Sequence, residues 1–584
     1  MVSWFTILLV IGITAFTVYL LKIYPSKKTQ YYVYFFVFIG WYLAFVIVTV
    51  LPYDVYLSLG GEGNKDDLHV CWNIIYWIIF ALCWALLPMM QNYHMAGEFT
   101  FLTKMKRAFI TRLRMIGITL VMGVIFILYL VISGNFASHR LPAILVALSN
   151  IWSLFIIMVL LGYGLVYIPK TFWQNGSLDT SMKLAQLKAV ELDQSKIEAK
   201  YNLDQTVGIV MKLSRDVTEV DPLHKYVDKL LEKCPQQSIE HQKSTRSLRS
   251  MEAHDEKKEI TYKYLVGVNR DLKKNIAEFG RSESRWEQHL EAAFRLEDII
   301  ANKKNSNKWI RSNFWPAKNG KYARFREVFE WIWYTRLSPI LCRLLGLLLS
   351  VVSIFVVLGE ITLFVDTPIG VFPLFFKDNH GSVGTLILCF MPLLYIIASI
   401  YVSLFKLRLK GRYGLYSHNQ TDPPNLIWSA FIMARLTPSV CYNFLLFIKV
   451  KHTQFNKVMG VIDLVPIFGQ GFTLFFPMIL IVFCLLNITN FYARLMEKMG
   501  MDQYSFADKI DDAKLLEGKS LLHKARSDRE RGSKGTITPS GSFVESGGYN
   551  AQIRSKYEHI RKSLAEERKN SITAPLKQKD IYDF

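Results

Sequence analysis

Apolar runs of about 20 residues, long enough to cross the hydrocarbon layer of a bilayer, recur throughout this chain, whereas the core helix of a soluble domain rarely needs even one. Nine spans are expected, over residues 4–21, 32–51, 71–90, 115–131, 141–168, 340–364, 386–407, 426–448 and 464–488. Five precede a long polar insertion and four follow it. The expected fold is therefore an all-α polytopic membrane protein with a cytosolic helical, coiled-coil insertion between spans five and six. The domains read as a five-span region 1–168, an arm and interfacial segment 169–335, a four-span region 336–490 and a tail 491–584. From about residue 531 the tail is too rich in Gly, Ser and Thr to offset the entropy of ordering.

The formal charge is +21, from 69 basic and 48 acidic residues. Such a balance could serve nucleic acid, but here the basic residues gather in short loops. Lys22, Lys27 and Lys28 follow span one; Lys104, Lys106, Arg107, Arg112 and Arg114 precede span four; Lys406, Arg408, Lys410 and Arg412 follow span seven. The positive-inside bias puts these loops in the cytosol, beside anionic lipids of that leaflet. The N-terminus is then outside, the arm and tail are cytosolic, and nucleic acid is not an expected partner. One loop disagrees: Lys449, Lys451, His452 and Lys457 would lie outside. The alternative is that the eighth segment re-enters instead of crossing.

The chain lacks the nucleotide-binding GxxxxGK[ST], metalloprotease HExxH and hydrolase GxSxG patterns, and its seven cysteines lack metal or redox spacing. His224, His241, His254 and His289 are scattered without ligand spacing. The expectation is a non-enzyme with no cofactor and no metal.

Within the insertion, Leu272, Ile276, Phe279, Trp286 and Leu290 form a seam at three- and four-residue steps, which skips a turn near Glu283 and again near Glu297. Leu184, Leu187, Ile197, Tyr201 and Val207 repeat it more loosely. Two such helices can bury their stripes against each other as an antiparallel hairpin. The hairpin either projects freely or docks a partner protein; the seam is the same for both. Beyond it, Trp309, Trp315, Trp331 and Trp333 alternate with Lys and Arg, as in segments that settle at the headgroup layer.

The spans carry a few costly polar groups: Asp54, Glu360, Asp463, Asn443 and, near the middle of span eight, Arg435. A charge at that depth needs a pairing partner such as Glu360 or Asp463, a ligand, or a snorkelling route to water. Gly162 and Gly164 flank Tyr163 and permit close helix approach, with Pro169 at the span's end. Pro423 and Pro424 suit the first turn of span eight, and Pro438 interrupts its hydrogen bonding.

The stretches WYLAFVIVTVLPYDV (41–55), WALLPMMQNY (84–93), NIWSLFIIMVLLGYGLVYIPKTFW (150–173), PLHKYVDKLLEKCP (222–235), WEQHLEAAFRLED (286–298) and SHNQTDPPNLIWSAFIMARLTPSVCYNF (417–444) resemble the limb-region-1-like membrane proteins, most closely their LMBR-like domain-containing protein 2 subgroup. The resemblance covers roughly residues 1–521 and implies nine spans with a cytosolic coiled insertion. It also implies a regulatory role toward adrenergic and other G-protein-coupled receptors at the plasma membrane, with endosomal or lysosomal membranes as alternatives. Its best-matched positions are Asp54, Trp152, Gly162, Tyr163, Gly164, Pro169, Asn419, Thr421, Asp422, Arg435, Thr437, Pro438 and Asn443. The short loop 57–70 departs from the lipocalin-receptor members, leaving little outer surface for a large ligand. The competing function is a transporter, channel or lipid- or small-molecule-binding receptor built around Arg435.

Overall fold

The computed structural model describes residues 4–132, 141–236, 238–239, 260–312, 314, 322–361, 383–406, 413–450, 452–459, 469–489 and 512–534. These residues form helices joined by short loops, with one isolated bridge between Pro25 and Thr421. Seven helical stretches are long and apolar enough to cross a membrane. They are α2 (Tyr31–Ser58); α3 (Lys65–Ala81), continuing through a π-helical turn, Leu82–Leu86, into α4 (Leu87–Met95); and α5 (Phe101–Ile132). The others are α6 (Leu141–Asn175); α10 (Ala323–Ile332) running through a second π turn, Trp333–Leu337, into α11 (Ser338–Ile361); α12 (Val383–Lys406); and α13 (Pro423–Phe447). Two of the nine expected spans, α1 (Trp4–Ile23) and α15 (Gly469–Ile488), are apolar helices whose described side chains, Leu8–Ile23 and Ile479–Ile488, make shorter stretches.

The core is organised around α2 and α13, which lie side by side. Gly40 of α2 faces Ala430 of α13, and the buried Trp41 donates its indole N–H to Ser429 Oγ at 3.2 Å. At one end the lead-in to α13 is stitched to the α1–α2 loop: Ser26 N–H donates to the Thr421 carbonyl (2.8 Å), and Asn419 and Thr421 donate to Ile23 and Tyr24. At the other end the loop after α13 meets the C-terminal turns of α2. With 28 and 25 residues at about 1.5 Å each, the two helices span about 42 and 37 Å. The eighth segment is thus one helix, unbroken through Pro438 and long enough to cross a membrane.

The basic loop that disagreed with the charge pattern folds inward. Thr453, Gln454, Phe455 and Asn456 are buried, and α14 (Gln454–Met459) packs under α3. It shares an end of the bundle with the acidic α2–α3 loop. Close packing elsewhere uses the expected glycines: a Cβ on Gly164 would collide with the Ser399 carbonyl of α12, and one on Gly162 with Phe483 of α15. Pro169 does not end its helix, since α6 continues to Asn175. By contrast, α5 packs on α4 and leaves the whole of its most apolar stretch exposed, as a lipid-facing helix does.

The insertion is an antiparallel hairpin of α7 (Leu178–Asp216) and α9 (Tyr262–Ala301), joined through α8 (His224–Leu231). Asn275 donates to the Asn202 carbonyl and Thr206 Oγ1, while His289 meets the Ala185 carbonyl at 2.8 Å; rising numbers on one helix meet falling numbers on the other. Leu272 is buried with Leu203, Val207 and Val210 and packs against Ile276 and Phe279; Trp286 and Leu290 are buried with Ala189 and Leu192. Each fully buried Leu of this kind contributes about 1.5–3 kcal/mol. A tail helix, α16 (Asp512–Lys534), lies against the same hairpin.

Candidate functional site

The two skipped turns of the α9 seam are where other parts of the chain attach. At the first, Arg281 and Ser282 replace the apolar stripe and are buried against the bundle. Arg281 Nη1 donates to Asp422 Oδ1 at 2.7 Å, and its guanidinium lies over the Tyr416 ring at 5.0 Å. Asp422 occupies the N-cap of α13 with Pro423 and Pro424 behind it, and its carboxylate also accepts from Asn425 Nδ2 (2.7 Å). The prolines fit the first helical turn, whose N–H groups have no intrahelical acceptor, and the acid sits at the positive end of the helix dipole. The Asp-Pro-Pro lead-in is therefore both a helix start and the anchor of the arm.

A second attachment lies twelve residues earlier on α9, by subtraction of Asn269 from Arg281. Asn269 is fully buried; it donates to the Gly97 carbonyl of the α4–α5 loop (2.6 Å) and accepts from Lys233 Nζ (3.0 Å). Lys273 Nζ reaches the Ala96 carbonyl at 3.4 Å. Burial, with repulsion from Lys104 and Lys233 and partial relief from Glu98, lowers the Lys273 pKa to about 8. The arm thus lies across the end of the bundle, held at two loops, and does not project freely. Between its helices, burial pushes His289 down to about 4, so the imidazole is neutral and serves as a hydrogen-bonding strut to α7.

At the second skipped turn the tail attaches. Arg526 donates to Glu297 Oε2 (2.8 Å) and Asp298 Oδ1 (2.7 Å), while Ser312 Oγ donates to Asp298 Oδ2 (2.6 Å). The same guanidinium faces the rings of Phe294 and Phe314, and Leu522 is fully buried beside them. Trp331, expected at the headgroup layer, is instead buried and donates its indole N–H to the Asn302 carbonyl at 2.9 Å, closing the end of α9. Its N–H finds an acceptor there that the apolar layer lacks. Trp309 and Trp333 remain partly exposed, and Trp315 lies outside the described residues.

The intramembrane polar groups separate rather than converge. Asp54 is buried at the far end of α2 and accepts from Trp72 Nε1 (2.9 Å), Gln454 N–H (2.9 Å) and Phe455 N–H (2.6 Å). It caps α14 and fixes the inward loop. Glu360, fully enclosed, accepts from Asn443 Nδ2 at 2.6 Å. Glu360 is not the counter-charge of Arg435: Asn443 lies two turns, about 12 Å, further along α13. Asp463 lies outside the described residues. Tyr163 is buried and stacks on Tyr167 at 5.3 Å.

Arg435 faces the π turn between α3 and α4. Cys83 Sγ contacts the Phe431 carbonyl (3.8 Å), one helical turn from Arg435 on the same face of α13, and Arg435 acts electrostatically on both Cys83 and Arg112. Arg112 of α5 donates to the Trp84 carbonyl at 2.6 Å, next to Cys83 in the π turn. Two arginines thus lie near a π-helical turn, a feature often found at functional sites. The sequence sets Arg112 among loop charges; α5 begins eleven residues before it, so it stands on the helix and reaches the π turn. Among the described residues no group of three His, Cys, Asp or Glu side chains converges as a metal site.

Comparison with known proteins fits this architecture. The chain is 28% identical over 555 residues to human "G-protein coupled receptor-associated protein LMBRD2", covering 85% of this chain and 80% of that one. It is 26% identical over 594 residues to "LMBR1 domain-containing protein 2 homolog A" of Dictyostelium discoideum, covering 92% and 79%. The Drosophila melanogaster "LMBR1 domain-containing protein 2 homolog" is 28% identical over 480 residues, covering 79% and 69%. No solved structure matches. The family model described as LMBR1-like membrane protein matches residues 2–492, and the chain belongs to that family.

Proposed function

We propose that this multi-pass protein is a non-enzymatic regulator of receptor signalling, of the G-protein-coupled type, at the plasma membrane. In this reading the arm end of the bundle is cytosolic, as the loop lysines favour, and α7 and α9 present the partner-binding surface. The observation that carries it is the arm itself: a hairpin clamped flat across the bundle at Asp422 and Gly97 and covered at its base by the tail helix. A rigid surface of that kind, held at the membrane, suits the recruitment of a membrane receptor or of a cytosolic protein that a receptor engages. The names of the human and other vertebrate relatives support the receptor class.

Proximity labelling in intact cells tests it. The full chain should enrich G-protein-coupled receptors or their cytosolic effectors, and charge reversal at the exposed Glu191, Lys200 and Glu287 should deplete that set several-fold while surface expression is unchanged. An identical partner set for both proteins would overturn the assignment of the arm as the docking surface.

A further inference from the structure

The arginines at the π turn pose a problem that the arm does not solve. Arg435 lies twelve residues into α13, counted from Pro423, and Arg112 eleven residues into α5, counted from Phe101. Both helices start at the arm end, so each residue lies about 17–18 Å along its helix from that end. Each is only partly exposed, and a partly buried charge is costly unless it is paired. Neither meets an acidic side chain among the described residues, and the buried Arg112 Nε lacks an acceptor there. Two like charges within electrostatic reach of each other raise the cost further.

The surroundings are those of an amphiphile site. Phe80 and Trp84 on the α3–α4 side and Phe109 and Ile116 on α5 flank the arginines and are exposed. The ligand that matches guanidiniums set among exposed rings is an anion carried on an apolar body. We infer that Arg112 and Arg435 together bind the phosphate of an anionic phospholipid of the arm-side leaflet, whose acyl chains lie along the exposed face of α5. The guanidinium fork matches a phosphate bidentately, and two forks from different helices can share its oxygens. Bound lipid would then tie α5 to α13, to which its described contacts are otherwise sparse. This site is independent of the receptor reading and would exist whether or not the arm docks a partner.

The test uses the full chain in nanodiscs of phosphatidylcholine with or without phosphatidic acid, read by native mass spectrometry. We expect one phosphatidic acid retained per chain at about tenfold preference, lost in the R112Q/R435Q variant and kept in a K106Q/K303Q variant that removes exposed lysines instead. Equal retention by the arginine variant overturns the site, as does displacement of the lipid by millimolar glycerol 3-phosphate, which would indicate a soluble phosphate ligand. Photo-crosslinking of the unsubstituted chain with a diazirine-tagged phosphatidic acid keeps the test open if the variant fails to fold. Crosslinks should map to α5 and the π turn around Trp84; crosslinks confined to other helices would overturn the proposal.

Discussion

The two ends of the bundle are closed by different chemistry. At the far end one buried carboxylate, Asp54, gathers three N–H donors, two of them from the backbone of the loop it fixes. At the other end the arm is held through side chains: Arg281 to Asp422, Asn269 to the Gly97 carbonyl with Lys233 donating to the Asn269 amide oxygen, and Arg526 to Glu297 and Asp298. A backbone cap has a single solution and no alternative partner. A set of side-chain clamps, several of them part-exposed, can be released one at a time. The far end is built to stay shut and the arm end to be adjustable.

Substitutions at four positions would break or sharpen that contrast. The largest effect is expected for Asp54→Ala, which strands three donors at roughly 1–3 kcal/mol each and should sharply lower thermal stability in detergent, with Asp54→Asn milder. An unchanged melting temperature would mean that the far end is not held by this group. Next, Arg281→Ala leaves Asp422 without its cation; the cost of opening a buried pair, reduced because Asp422 is 27% exposed, is about 2–3 kcal/mol. Hydrogen exchange should rise along α9 while α2 and α3 keep their protection, and a uniform rise would erase the distinction between the ends. Arg526→Ala should cost about 1–2 kcal/mol and show as faster exchange in α16 alone.

The smallest effect concerns pH. Lys273 has a pKa of about 8 in the folded arm against an ordinary 10.5, so between those values the unfolded chain holds the extra proton. Docking through this residue should strengthen as pH rises through that window, and Lys273→Met should flatten the trend in hydrogen exchange of the α4–α5 loop. A wild-type trend that persists in the variant would assign the dependence to another group.

Much of this fold was legible in the sequence because hydropathy and a helix's own period report what each segment does by itself. The seam from Leu272 to Leu290 and the helix start at Pro423 were readable for that reason. What the period could not show is why it failed: the skips near Glu283 and Glu297 read as defects, yet Arg281 and Asp298 stand there because two different partners arrive. Partner choice is a tertiary property. Glu360 looked like the counter-charge of Arg435 by charge alone, but position along α13 gave it to Asn443. Likewise Trp331 carried the composition of an interfacial residue, and only the end of α9 nearby gave its N–H an acceptor. Arg112 was hidden by its neighbours, since a run of basic residues masks the one that bonds the π turn.

An α-helix hardly stretches, and α9 is gripped at Asn269 by the α4–α5 loop and at Arg281 by the lead-in to α13. The separation of those grips is fixed at about 18 Å by the helix itself. It therefore works as a calliper laid across the bundle: the α4–α5 edge and the α12–α13 edge cannot drift apart at this end without one jaw letting go. Any motion of the spans large enough to open a path between those edges would be reported, mechanically and at once, on the surface of the arm.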